Sequence, residues 1–265
     1  MKGTRVVIKF GGSALEVPEA AATFASDLVK VQSTGYQAIV VHGGGKSLSN
    51  LMTKVGLEPR FVEGLRYTDA ATLELAQMVL AGKANKDLVA LINLAGGTAV
   101  GLSGTDGHTF TPQQIRSPQG ADLGFVGEIA NVNPALLLEL LKSSFIPVVC
   151  SVGHDKNGQG LNVNADHVAA ELARELQVQD LILLTDVDGI KIEGKLLQRI
   201  SFKEGQALIT HKDVSGGMRP KIEYAVRALL GGVKRAHIVN AGNRGIVGKI
   251  LAGEASSGTT IEAAV

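Results

Sequence analysis

Tryptophan is absent from this 265-residue chain, aromatic residues make up only 4% of it, and there is one cysteine. So few rings exclude the base-stacking platforms used by single-strand nucleic-acid binders. Cys150, standing alone, permits neither an internal disulfide nor a cysteine-based zinc site, and it suits a reducing interior. A dominant charge is missing as well: 26 Lys and Arg face 25 Asp and Glu, a net charge of +1. No overall field therefore draws the chain to nucleic acid or to an anionic membrane, and any anion it binds must be held locally. Apolar runs all fall short of the roughly 20 residues that cross a bilayer, and Met1-Lys2 leads straight into a strand pattern with no targeting signal. A cytoplasmic protein with no nucleic-acid or membrane partner is expected.

The chain does have 45% hydrophobic residues and 33 glycines, enough for a substantial core in one large domain or two lobes. Short Val- and Ile-rich runs recur at Val6 to Phe10, Ala38 to Val41, Thr98 to Leu102, Ile146 to Val149, Leu181 to Leu184 and Ala236 to Val239. They read as buried strands. Between them lie stripes with i, i+3, i+4, i+7 spacing: Ala21, Phe24, Ala25, Leu28; Leu48, Leu51, Met52, Val55; Ala169, Leu172, Ala173, Leu176; Ile222, Ala225, Val226, Leu229. Strands alternating with helices predict an α/β protein with a mainly parallel sheet and helices on both faces. Ligands of such sheets bind beyond the carboxyl ends of the strands.

Four clusters fall at such places. "VVIKFGGSAL" puts Lys9 at the end of the first strand, just before Gly11 and Gly12. "IVVHGGGKSLSNLM" runs a strand through Gly43, Gly44 and Gly45 into a helix whose free N–H groups favour an anion. Its "GKS" is no P-loop, because the position that motif requires as glycine is Val40. No G-x-G-x-x-G follows a strand either, so the usual dinucleotide fingerprint is missing, which undermines a nicotinamide-linked oxidoreductase as a competing reading. In "DVSGGMRPKIEYAVRALL", Pro220 suits an early helical position and Lys221 falls in the first turn. Upstream, "LILLTDVDGI" ends a buried strand in acidic residues that lack the remaining ligands of a calcium loop. "GLNVNADHVAAELA" places Asn162, Asn164 and Asp166 around one helix start. That exceeds what a cap requires and suggests ligand contacts.

Read in order, "IKFGGSAL", "VVHGGGKSLSNLM", "FVEGLRYTDAATLELAQMVLAGKANKDLV", "GLSGTDG", "PVVCSVG", "GLNVNADHVAAELA", "LLTDVDGI" and "GGMRPKIEYAVRALLGGVKRAHIV" resemble the amino-acid kinase family over roughly Val6 to Gly258. The resemblance implies a three-layer α/β/α sandwich around an open, mainly parallel sheet. Residues 1–173 would form an N-terminal lobe for the acyl-amino acid and dimerisation, and 174–265 a C-terminal lobe for the nucleotide. Within the family, "NVNAD" and "EGLRYTD" are similar to the branch that moves the γ-phosphoryl of ATP onto the side-chain carboxylate of N-acetyl-L-glutamate in arginine biosynthesis. A glutamate carboxylate, with a pKa of about 4.3, needs no general base, so positive groups and glycines suit it as acceptor.

By the same resemblance, Lys9 and Lys221 flank the transferring phosphoryl group and Asp166 organises both lysines. Gly44, Gly45, Arg66 and Asn162 bind the acyl-amino acid. Gly11, Gly12, Asp186, Val187, Asp188, Gly189, Ile190, Lys191, Asp213, Val214 and Ser215 bind the nucleotide. Mg²⁺ is held mainly by the nucleotide and water, with no protein metal site. Two positions depart from the pattern: Lys46, where many relatives carry proline, and Thr105, where lysine is common. A start directly at the first strand implies a homodimer not strongly inhibited by arginine. N-Succinyl-glutamate and N-acetyl-aminoadipate are competing substrates, since one methylene changes binding by only ~1–3 kcal/mol. A ligand sensor without turnover is the competing reading from another class.

Overall fold

The computed structural model describes residues 3–254 and 257–263. Its core is an eight-stranded sheet: β1 (Thr4–Phe10), β2 (Tyr36–His42), β3 (Ala99–Leu102), β4 (Ile146–Cys150), β5 (Asp180–Thr185), β6 (Arg199–Ser201), β7 (Arg235–Asn240) and β8 (Thr259–Glu262). The spatial order is β6-β8-β7-β5-β1-β2-β4-β3, parallel throughout except between β7 and β8. All six strands expected from the apolar runs are present, with ends within two residues of the expected limits. β6, at the edge, and β8, between β6 and β7, are additional; both are short elements whose composition carries no apolar run.

Alternation along the strands divides the core. Val6, Ile8 and Phe10 of β1 pack on one face with α1 (Pro18–Ser33), α4 (Asn85–Leu94) and α9 (Ile246–Leu251). Val7 faces the other layer, which holds α5 (Ala135–Lys142), α6 (Ala165–Glu175), α7 (Phe202–Leu208) and α8 (Met218–Leu230). This is the expected α/β/α sandwich. Three of the four helical stripes are buried in full. In the remaining one, on α2 (Gly45–Lys54), Leu48 and Met52 are buried, but Val55 lies past the last turn and is exposed. α3 (Ala70–Ala76) continues through a π-helical segment, Gln77–Ala84, into α4.

β1 has β2 on one side and β5 on the other, so the connections run outward in opposite directions from it. A crevice forms at such a switch point beyond the strand ends. Lys9, paired in register with Val41 and Leu183, sits there. A second sheet, Phe110–Arg116, Asp122–Val132, Gly160–Val163 and Val152–His154, closes one wall and carries Asn162. Its alternation is hard to read because Pro112 coincides with a register shift and glycines interrupt the second strand. No helix among the described residues is long and apolar enough to cross a membrane.

At the opposite end of the sheet, Asp180 accepts two hydrogen bonds from Arg235, at 2.7 and 3.0 Å, and lies 3.0 Å from His237 Nε2. Burial raises the Asp180 pKa, but the His237 and Arg235 hydrogen bonds prevail and hold it below the ordinary carboxylate value. A depressed carboxylate stabilises the fold above its unfolded pKa, about 3.9, and that stabilisation is lost as the pH falls through the native value. Asp180→Asn is therefore expected to lower the urea midpoint at neutral pH by the equivalent of about 2 kcal/mol. The gap from the wild type should close below about pH 4; a gap that persists there contradicts this account.

Candidate active site

Lys9 follows Val7 on the face covered by α6, and its side chain is only 8% exposed. α6 starts with Asn164 as N-cap, whose Oδ1 accepts from the Asp166 backbone N at 2.8 Å. Asp166 thus stands in the first turn, where the helix dipole favours a carboxylate. Its Oδ1 lies 3.0 Å from Lys9 Nζ, in an ion pair without a directed hydrogen bond, and its Oδ2 accepts from Lys221 Nζ at 2.7 Å. Lys221 comes from the first turns of α8, which has no side-chain cap and is docked against α6 by stacking of Tyr224 on His167 at 4.8 Å. A Cβ at Gly11 would overlap the Lys9 ammonium, so a side chain there would displace the lysine from this position.

The electrostatics follow from burial and proximity. Burial pushes Asp166 up, but the charges of Lys9 and Lys221 outweigh it and bring the carboxyl down to about 2. Burial pushes Lys9 down; attraction to Asp166 opposes this and repulsion from Lys221 adds to it. With both lysines protonated, one carboxylate faces two ammonium groups, which leaves a net positive charge at the cluster.

Lys9 also lines a cavity of about 240 Å³ with Gly43, Gly44, Gly45, Arg66 and Asn162. Arg66 leaves a short hairpin, Phe61–Val62 with Leu65–Arg66, and is buried. Its Nη2 donates to Gly45 O and Ser49 Oγ, both at 2.7 Å, and its guanidinium lies over the Phe61 ring. Burial lowers its pKa, and no described carboxylate forms an ion pair with it. Asn162 Nδ2 donates to Thr68 Oγ1 at 3.3 Å, and Thr68 Oγ1 to Arg66 O at 3.0 Å. A larger groove of about 490 Å³, lined by Leu15, Leu51 and Leu88 with Glu16, Lys54 and Lys83, contains none of the Lys9, Asp166 and Lys221 set. Of the two, only the smaller cavity is lined by Lys9.

The remaining candidates form a second group beside α8. After β5, Asp188 accepts from Asn240 Nδ2 at 3.1 Å and Lys191 Nζ at 2.9 Å, and Ile190 N donates to Thr259 Oγ1 at 2.8 Å. Gly189 has φ +147°, and a Cβ would press on Thr259. Asp186 accepts from Thr185 Oγ1, while Val187 is exposed. Asp213 Oδ2 accepts from Glu193 N at 2.9 Å, which joins the 213–215 turn to the hairpin after Lys191. Val214 is buried, and Ser215 O accepts from Met218 N, where α8 begins. Gly12 opens a 3₁₀ turn over Gly12–Glu16.

Sequence reasoning missed Ser49, Thr68, Asn240 and Thr259 as supporting residues. Single hydroxyls and amides at strand or helix ends carry no spacing signal. Of the two departures from the family pattern, Lys46 pairs with Glu16 at 3.7 Å and Thr105 Oγ1 lies 2.6 Å from His154 Nδ1.

The model of the amino acid kinase family matches residues 4–240. The acetylglutamate kinase of Kosmotoga olearia is 45% identical over 240 residues, covering 91% of this chain and 84% of that protein. Among solved structures, Neisseria gonorrhoeae N-acetylglutamate synthase complexed with coenzyme A and N-acetyl-glutamate superposes with a TM-score of 0.89 at 29% identity. That match covers 100% of this chain, which spans 61% of the synthase. Giardia carbamate kinase, with a TM-score of 0.71 at 17% identity over 100% of both chains, shares the fold. The chain belongs to the amino acid kinase family and, within it, to the acetylglutamate kinase branch.

Proposed function

We propose that this chain transfers the γ-phosphoryl group of ATP to the side-chain carboxylate of N-acetyl-L-glutamate, a step of arginine biosynthesis. The observation that carries the reading is the Lys9–Asp166–Lys221 cluster, whose Lys9 lines a cavity where the other cation, Arg66, has no described carboxylate partner.

ATP supplies the phosphoryl group; the chain supplies position and charge. Lys9 and Lys221 stabilise the negative charge on the transferring group, and Asp166 keeps the two ammonium groups together when the site is empty. Arg66 offers a planar fork to the substrate α-carboxylate, and Asn162 holds the acyl-amino acid. Gly44 and Gly45 edge the substrate, while Gly11, Gly12 and Gly44 present backbone N–H groups to phosphates. The 186–191 loop and the 213–215 turn hold the nucleotide, which gives an acyl-amino-acid lobe over 1–173 and a nucleotide lobe over 174–265. Among the described residues no group of three His, Cys, Asp or Glu side chains is placed to hold a metal alone. Mg²⁺ would be held mainly by nucleotide phosphates and water. An acceptor already ionised at neutral pH needs no proton removed, in keeping with a cavity that presents cations and amides.

We place the enzyme in the cytoplasm as a homodimer. The single thiol, Cys150, is buried and pushed up to about 12, which suits a reducing compartment. Light scattering is expected to return twice the chain mass, and a monomer at working concentration contradicts the dimer.

The direct test is an ATP-dependent acyl-phosphate assay trapped with hydroxylamine, run on glutamate, N-acetylglutamate, N-succinylglutamate and N-acetyl-aminoadipate. N-Acetylglutamate should give the highest kcat/KM, and no acyl phosphate from any of the four would refute the reading. Lys9→Ala and Lys221→Ala should each lower kcat by roughly 10²–10³, the scale of one lost preorganised donor. A drop of only a fewfold would reduce Lys9 to a structural lysine. Arg66→Ala is expected to raise KM for the acyl-amino acid with a much smaller change in kcat, and Arg66→Lys to restore little of it. An unchanged KM would remove Arg66 from the substrate.

A further inference from the structure

Beneath the glycines of the 43–45 turn lies a buried polar chain to which the reaction above assigns no part. His42, fully buried at the end of β2, lies 3.0 Å from Asn85 Nδ2 through Nε2 and 2.8 Å from Gly43 O through Nδ1. Asn85, 1% exposed, opens α4 directly after the π-helical segment.

The orientation of the Asn85 amide is settled by its other neighbours. One side faces two backbone carbonyls, Val148 O at 2.9 Å and Leu102 O at 3.4 Å; the other receives Lys86 Nζ at 3.1 Å. Carbonyls accept and an ammonium donates, so Nδ2 must point to the sheet and Oδ1 to Lys86. Glycine at Gly101 leaves the space, since a Cβ there would overlap Asn85 Oδ1. Nδ2 then presents a hydrogen to His42 Nε2, which must accept it. An imidazole that accepts at Nε2 carries its proton at Nδ1 and donates it to Gly43 O. Burial pushes His42 down to about 4, with Lys86 and Lys9 acting in the same direction against the Gly43 carbonyl, so the ring is neutral.

The turn gains a fixed shape from this. Gly44 has φ +151°, and a Cβ there would press on Leu80 of the π segment at 2.8 Å. α2 has no side-chain cap, and the N–H groups of Gly44 and Gly45 donate to no described residue. We infer that His42 is a positioning residue: held by Asn85 as the tautomer protonated on Nδ1, it anchors the Gly43 carbonyl so that the N–H groups of Gly44 and Gly45 stay free for an anionic oxygen in the cavity. The kinetic consequence rests on the kinase reading; the tautomer rests on the hydrogen-bond geometry alone.

Long-range ¹H–¹⁵N spectra of the ¹⁵N-labelled wild type test the first part, with the His42 signals identified by their loss in His42→Asn. A protonated Nδ1 beside an unprotonated Nε2 is expected, and a protonated Nε2 overturns the inference whether or not the protein has activity. For the second part, His42→Leu should lower kcat/KM for the acyl-amino acid by roughly 10–100-fold, the size of effect seen when a partner that orients a functional group is removed. His42→Asn, whose Nδ2 stands where the ring Nδ1 did, should recover most of that loss. Full activity in folded His42→Leu, or equal impairment of both variants, overturns the positioning role. If His42→Leu does not fold, the wild-type spectrum decides. A wild type with the expected tautomer and no acyl-phosphate formation would sink the kinase reading and leave the tautomer standing.

Discussion

Asp166 stands between Lys9 and Lys221, at 3.0 and 2.7 Å, and the chemistry of the site depends on that shared carboxylate. Two ammonium groups held near one point repel, and burial weakens the screening that would make the repulsion tolerable in water. One carboxylate holds both in place without cancelling both charges. The cluster keeps a residual attraction for an anion, and groups already held in place need little reorganisation when a phosphoryl group arrives. Electrostatic preorganisation of this kind is the main resource for phosphoryl transfer, in which protein groups do little covalent chemistry.

The fold brings these groups together by simple means. β1 lies where the strand order changes direction, so its carboxyl end opens into a crevice and not onto a neighbouring connection. Alternation along β1 turns Lys9 to the same face as Val7, toward α6, while Asn164 caps α6 and leaves Asp166 in its first turn. Packing of α8 against α6 brings in Lys221 from the C-terminal part of the chain. On the other side of the cavity, His42 and Asn85 connect the glycine turn to the sheet carbonyls, so the neutral wall of the site is as firmly held as the charged one.

Much of this is legible in the residues before any coordinates. The continuous Val- and Ile-rich runs give the six main strands because burial on both faces demands them, and the stripes give the helices because a helix has one apolar face to cover. Lys9 beside Gly11 and Gly12, and Lys221 just after Pro220, stand out only in combination, since a lysine or glycine at an element end is by itself commonly a turn or a plain helix start. Val55 misleads, as a stripe does not say where its helix stops. The second sheet escapes detection because Pro112 and the glycines of 122–132 break the alternation that would betray it. Asn85 is also silent: an amide inside a helical sequence looks like any solvated side chain until β3 and β4 place two carbonyls against it.

The sequence by itself determines the local elements, the ends at which anions gather and the family to which the motifs point, because periodicity, turn chemistry and helix termini are properties of neighbouring residues. Tertiary structure alone decides that Asp166 takes both lysines, that Asn164 caps α6 while lining the cavity beside Asn162, and that His42 is a neutral donor. Those outcomes depend on distance and burial between segments far apart in the chain. Spacing along a polypeptide does not encode them until the sheet has closed.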